Sequence, residues 1–319
     1  MRRSLSLIAD PMIAVLVLAT ILAALVPAEG ESRVFAQAIA NGAIFLLFLV
    51  NGMRIARGEI ARALANWRFF VPLGAWVFGV MPLAGLGLSQ IASQVLPPLV
   101  ALGFLFCGTL PSTVQSATSY TSLAGGNTAL SVIGAALINI AGVFVTAPLF
   151  ALLAGSEAAE IGTETILRIG AILLLPFAIG QAVQKRTIGW LAARKAEVAW
   201  LDRVVIGIAV YVAFSGAVEQ GLGAMFGAAD WALLIALVAG FLAFATGGAW
   251  LAGGALGLAR ADRIAFLFAG AQKSVAIGAP LAAILFAPEV AGFVIAPLLL
   301  YHLFQLLIAA PLANRLARG

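Results

Sequence analysis

The sequence predicts an all-α polytopic membrane protein of ten transmembrane helices, built as two inverted five-helix repeats with the fourth and ninth helices broken. Three observations predict it. The 319 residues are 63% hydrophobic and only 10% charged, with a mean hydropathy of +1.10, whereas a soluble domain carries about 25% charged residues. The apolar runs recur at the length that crosses a bilayer, about 20 residues. Two polar patches interrupt those runs at matching places in the two halves, and broken helices in corresponding positions are the mark of a transporter's central site.

The spans fall near 7–27, 35–53, 69–91, 96–123, 127–153, 164–184, 203–222, 231–257, 261–286 and 289–313. The first could be mistaken for a signal peptide, because Arg2 and Arg3 precede the apolar run and Ala28 follows it. That run is long for such a leader and further spans follow closely, so it reads as a retained helix. Ten spans divide as five and five, giving a first repeat over 1–153 and a second over 164–315 within one transporter domain over 1–319. An odd number per repeat makes the second insert upside down.

Charge tests this count. With both termini in the cytoplasm, fifteen of the eighteen Lys and Arg residues fall on inside segments, as the positive-inside rule requires of an inner-membrane protein. Nine spans would put the last loops on the wrong side. The longest charged connector, 185–203, carries Ile188, Leu191, Val198 and Leu201 among its charges. It is expected to be a short amphipathic helix on the cytoplasmic surface.

Composition also excludes. The net charge of +5 is spread over short loops, so no nucleic-acid patch is expected. One cysteine, Cys107, and one histidine, His302, give no zinc constellation. No Ser–His pair, paired aspartates or His-Glu-x-x-His motif sits in the spans, so an enzyme is not expected. No cofactor is expected beyond a coupling ion, sodium or the proton. The partners expected are the lipid bilayer and a small organic solute. A non-transporting membrane regulatory protein on the same fold is the alternative.

The first patch is Pro111-Ser112-Thr113-Val114-Gln115-Ser116, running on to Gly125-Gly126-Asn127-Thr128. Pro111 removes a backbone donor and frees a carbonyl. Ser112, Thr113, Gln115 and Ser116 then place oxygen-bearing side chains within two turns. Neutral oxygens and unwound carbonyls suit a hard cation, and the helix that restarts after the break points partial positive charge at an anion. Gly125-Gly126-Asn127 reads mainly as a tight turn, with Asn127 and Ser131 as further ligands. The second patch is Gly270-Ala271-Gln272-Lys273-Ser274. Lys273 is the costliest residue in the chain at membrane depth, and must pair, snorkel, deprotonate or meet a ligand. Its quiet alternative is a pair with Asp10 or Asp262.

These stretches, together with Asn51-Gly52-Met53-Arg54, resemble the signatures of the bile acid:sodium symporter superfamily over essentially the whole chain. They resemble most its divergent SBF-like branch, which includes the solute carrier 10, member 7 type. The resemblance implies that helices four and nine cross where they unwind. It also implies a panel of helices 1, 2, 6 and 7, a core of 3–5 and 8–10, and alternating access. It makes Ser116, Ser131 and Gln272 the expected sodium ligands, and Ser112, Thr113, Gln115, Asn127, Lys273 and Ser274 further substrate or ion contacts. The chain departs from the bile-acid-transporting branch in four ways, the first being Ala135 in place of a threonine one turn after Ser131. Ala117 stands where that branch has an asparagine ligand, Phe268 replaces its acidic residue, and Lys273 replaces an asparagine. The usual sodium site has thereby lost its carboxylate and gained a cation. Sodium-independent transport, linked to protons through Lys273, or direct binding of an anionic solute by Lys273 is expected to follow.

Overall fold

The computed structural model describes residues 11–54, 66–155, 170–221 and 226–318. The starts of the first and sixth predicted spans, and Asp10, lie outside the described residues. Among the described residues the chain is helical throughout. Its helices are α1 (Pro11–Leu25), α2 (Gly30–Arg54), α3 (Trp67–Ala92), α4 (Pro98–Thr109), α5 (Val114–Leu123) and α6 (Thr128–Ala154). There follow α7 (Leu175–Ala192), α8 (Lys195–Glu219), α9 (Ala228–Ala255), α10 (Arg260–Ala271), α11 (Val275–Leu285) and α12 (Pro288–Leu316). Seven spans are long and apolar enough to cross a bilayer among the described residues, and α4 with α5 forms an eighth, bent by 64°. This is a multi-pass α-helical membrane protein.

Prolines shape several helices. Pro82 has no N–H to give the carbonyl four residues back. One turn before it, at Trp76–Val80, α3 widens to a π-turn whose closing bond runs from Met81 N–H to the Trp76 carbonyl. The same arrangement recurs where the π-turn Gly170–Leu174 precedes Pro176.

The chain forms two compact units, each assembled from separated stretches. The first comprises 1–57, 155–226 and 278–295. Within it α2 and α7 approach until their main chains touch: a Cβ on Gly180 would lie 3.0 Å from the Gly52 Cα and 2.9 Å from the Met53 nitrogen. Gln181 Nε2 donates to the Gly52 carbonyl at 2.6 Å, and Val15 of α1 packs on Gly207 of α8. Small residues at helix crossings are how membrane helices gain contact without a hydrophobic driving force. Gly180→Val is therefore expected to lower unfolding free energy by ~1–3 kcal/mol through overpacking. A lowered thermal midpoint in detergent checks it.

The charged connector does not form its own surface helix. α7 runs on to Ala192 and α8 begins at Lys195, so two long helices share the segment and turn at Ala193-Arg194. Leu191, Val198 and Leu201 pack against Val50 and Met53 of α2. No proline or helix-ending glycine interrupts the segment's alanine-rich stretch, so each helix propagates to the turn. Three of the four apolar residues named above are thus packed inside this unit, where Arg54 also holds Asp202 at 2.9 and 3.0 Å, while Trp190 and Trp200 of the same segment stay exposed.

The second unit comprises 58–154, 227–277 and 296–319. Its α3 and α4 also meet through glycine, a Cβ on Gly108 lying 3.2 Å from the Gly85 Cα. The Pro111 ring seats on Gly142 of α6, where a Cβ would come within 2.6 Å of it. Arg263 Nε donates to the Trp250 carbonyl at 2.7 Å, with its guanidinium 3.8 Å from that residue's ring centroid. Among the described residues the most buried span is Arg260–Leu285, with 94% of its most apolar window inside; its residues up to 277 belong to this unit.

Candidate functional site

Both predicted breaks are present. α4 ends at Thr109 and α5 restarts at Val114, and α10 ends at Ala271 while α11 restarts at Val275. The second unit holds both. Each broken end leaves main-chain donors and acceptors with no helical partner, and hydrocarbon offers no water to meet them. The site is best understood by asking where those groups go.

After α4 the carbonyls point away one by one. Leu110 N–H reaches the Cys107 carbonyl at 3.3 Å. The Gly108 and Leu110 carbonyls both accept from Lys273 Nζ at 2.8 Å. Thr146 Oγ1 of α6 donates to the Thr109 carbonyl at 3.1 Å, and Ser274 N–H to the Pro111 carbonyl at 2.9 Å. Asn139 Nδ2 of α6 takes the Ser112 carbonyl at 2.6 Å. The two breaks are thus sewn to each other directly.

The second break is closed from α12. Tyr301 donates its hydroxyl to the Ala271 carbonyl at 2.6 Å. Gln305 binds the Lys273 main chain on both sides: Oε1 accepts its N–H at 2.8 Å and Nε2 donates to its carbonyl at 3.0 Å. Gln305 Nε2 also lies 2.8 Å from His302 Nδ1. A side-chain amide here stands in for a missing turn of helix.

Lys273 is wholly buried. It neither snorkels nor pairs with Asp262, which instead accepts from Asn127 Nδ2 at 2.8 Å. Among the described residues no carboxylate pairs with it. Its charge sits at the C-terminal, negative end of α4, where a cation is favoured.

The positive end of the same break is the start of α5. There Thr113 Oγ1 donates to Gln272 Oε1 at 2.7 Å. Ser116 Oγ bonds Gln272 Oε1 and Thr113 Oγ1 as well. Three oxygens from two broken helices therefore form one cluster. Gln272 Nε2 is buried and has no partner among the described residues, although such groups are nearly always satisfied. The cluster can present neutral oxygens to a cation or an amide donor to an anion.

The remaining predicted residues are distributed as follows. Ser112 is buried, and its hydroxyl lies 3.5 Å from the Thr113 carbonyl. Gln115 is exposed on α5. Ser274 caps α11, its Oγ accepting the Ile277 N–H at 3.3 Å. Asn127 caps α6 through the Leu130 N–H at 3.2 Å and is tied to the first turn of α10. That turn lies about nine residues, or roughly 14 Å, from the break at the other end of α10. Ser131 accepts from Thr121 Oγ1 at 3.1 Å, one and a half turns beyond Ser116. The structure thus brings Thr113, Ser116, Gln272 and Lys273 together at the breaks, with Ser274 bridging them. Asn127 and Ser131 are not among them.

Sequence reasoning missed Asn139, Thr146, Tyr301 and Gln305. Each is a lone polar residue in an apolar span, and the cost of such residues in hydrocarbon is the signal that could have found them.

Comparison with known proteins agrees with this architecture. The SBF-like CPA transporter family matches residues 10–318. An uncharacterized protein of Pseudomonas aeruginosa is 36% identical over 95% of this chain and 91% of its own. The Escherichia coli protein named "Putative symporter YfeH" is 32% identical over 98% of this chain and 94% of its own. The mouse sodium/bile acid cotransporter 7 is 24% identical over 85% of this chain and 80% of its own. A match this complete, on a chain whose two broken spans meet, makes this protein a member of the SBF-like CPA transporter family, in the bile acid:sodium symporter superfamily.

Proposed function

We propose that the protein is a secondary active transporter that carries a small organic anion across the inner membrane by alternating access. The observation that supports this most is the buried, unsatisfied Nε2 of Gln272 beside the N-terminus of α5. A helix N-terminus favours negative charge, and Thr113 and Ser116 can turn their hydroxyls toward a carboxylate or phosphate. Ser112, Gln115, Asn127 and Ser131 act at most around this site, and Ser274 through the turn it caps. Lys273 holds carbonyls and so acts on the solute only through the break it closes.

Ten spans follow when α1 and the helix from Gly170 to Ala192 are added to the eight described above. The two breaks support repeats over 1–153 and 164–315. Each lies after a helix of 12 residues and before one of 10 or 11. The charge asymmetry of the loops supports cytoplasmic termini and a cytoplasmic turn within 185–203. Two coupling ions fit this reading, sodium and the proton, and the Lys273 ammonium beside the oxygen cluster weighs against sodium. Thr113, Ser116 and Gln272 offer oxygens a sodium ion accepts, but no carboxylate.

A thermal-shift screen of purified protein against organic carboxylates, sulfonates and phosphates tests this reading. A solute that binds the folded state raises its midpoint. Gln272→Leu is expected to weaken that solute about 10- to 100-fold, the worth of a lost buried hydrogen bond. A solute stabilising wild type and Gln272→Leu equally would remove Gln272 from the site.

A further inference from the structure

We propose that Lys273 is a tethered cation that fills the carbonyl site of the first break, so that the protein binds no sodium ion there. A negatively charged occupant of the neighbouring cluster rests on the transport function proposed above. The substitution of a side chain for an ion rests on geometry alone.

Two carbonyls of an unwound segment, Gly108 and Leu110, converge on one nitrogen at 2.8 Å. Main-chain carbonyls freed by a helix break are the ligands that membrane transporters use for alkali cations. Here the cation arrives on a four-carbon stem from the other broken helix. Its own backbone is fixed on both sides by Gln305, so the ammonium is aimed rather than free to search. The side chain is fully buried, and among the described residues no carboxylate balances it. Its compensation is the negative end of α4. The same break also carries the oxygen cluster of Thr113, Ser116 and Gln272. A mobile cation entering that cluster would meet the field of a fixed positive charge in a medium of low dielectric. The like-charge conflict selects against sodium and for a negatively charged occupant.

This arrangement also changes what a sodium site would do. A mobile ion joins the two half-helices only while bound. A covalently tethered ammonium joins them in every state in which both carbonyls stay in place.

The test uses the full-length purified protein and reads thermal unfolding, so it needs no solute. Wild type, Lys273→Ala and Lys273→Arg are each melted in sodium, potassium, choline and n-propylammonium chloride at one ionic strength. Wild type is expected to melt within about 1 °C in all four, since an ion without a site gives no linkage. Lys273→Ala is expected to melt at least about 5 °C lower in choline, and to recover at least part of that loss in n-propylammonium or sodium. Lys273→Arg keeps the charge and is expected to stay indifferent to sodium. A sodium-specific rise in the wild-type midpoint overturns the proposal. So does a Lys273→Ala protein as stable as wild type and indifferent to every cation. If Lys273→Ala does not fold, the wild-type and Lys273→Arg melts still decide. Failure to find any transported anion, with wild type indifferent to sodium, sinks the transport reading and leaves the tethered cation standing. Sodium-specific stabilisation of a working transporter does the opposite.

Discussion

Lys273→Met should destabilise the protein by about 2–6 kcal/mol, because the two carbonyls it leaves unpaired cost about 1–3 kcal/mol each. Methionine matches the stem of lysine closely, so little of the loss comes from packing. What changes is that the Gly108 and Leu110 carbonyls lose their shared donor in a spot closed by protein, where Lys273 and Leu110 are fully buried. The C-terminal end of α4 also loses its only described cation. The effect should concentrate on the second unit, because that unit holds both breaks. Arg54→Ala provides the contrast. Its partner Asp202 is held at a rim where the side chains are 35% and 22% exposed, and such pairs contribute about 0–1 kcal/mol. Denaturant melts of both variants check the ordering. An Arg54→Ala loss equal to that of Lys273→Met would mean that the buried lysine's hydrogen bonds contribute no more than a rim ion pair.

Gln305→Leu is expected to cost about 2–5 kcal/mol by the same rule, since it strands both the N–H and the carbonyl of Lys273. It should also blur the site. With its main chain released, the turn Gln272-Lys273-Ser274 no longer aims the ammonium at α4 or the Gln272 amide at α5. The expected signature is a loss of solute-induced stabilisation together with basal stability. Gln305→Glu keeps an acceptor for the Lys273 N–H but loses the donor to its carbonyl, and should fall between wild type and Gln305→Leu. Hydrogen exchange at the Lys273 amide reads the change directly. Protection unchanged in Gln305→Leu would contradict the bridging role.

The sequence made the breaks legible because polarity inside an apolar span is expensive. Pro111, Gln272 and Lys273 could be found that way, and the structure places them at one spot. The partners of those groups were harder to see. Gln305, Tyr301, Asn139 and Thr146 are single polar residues in long spans, and nothing in their local sequence says which broken end each one meets. That assignment is made by tertiary packing, through contacts separated by 27 to 37 residues. Asn127 has partners that the sequence does not name. It follows a glycine turn and faces an acid far along the chain, so it is polar for capping and for Asp262. The connector 185–203 had the pattern of a surface helix, yet three of its apolar residues found α2 inside the protein. An amphipathic stripe tells that a face must be covered and leaves open what covers it.

The proposed solute site at the breaks must be reached by water within the membrane. Ser116→Cys tests it most directly, in sealed membrane vesicles of both orientations treated with a membrane-impermeant, water-soluble thiol reagent. Cys107, the single native cysteine, is buried and serves as the internal control. In Ser116→Cys the new thiol is expected to be modified from at least one side while Cys107 is not, and a stabilising anion is expected to slow the modification. A Ser116→Cys protein that is folded yet unreactive from both sides would contradict it, because a site closed to water from either face carries no solute.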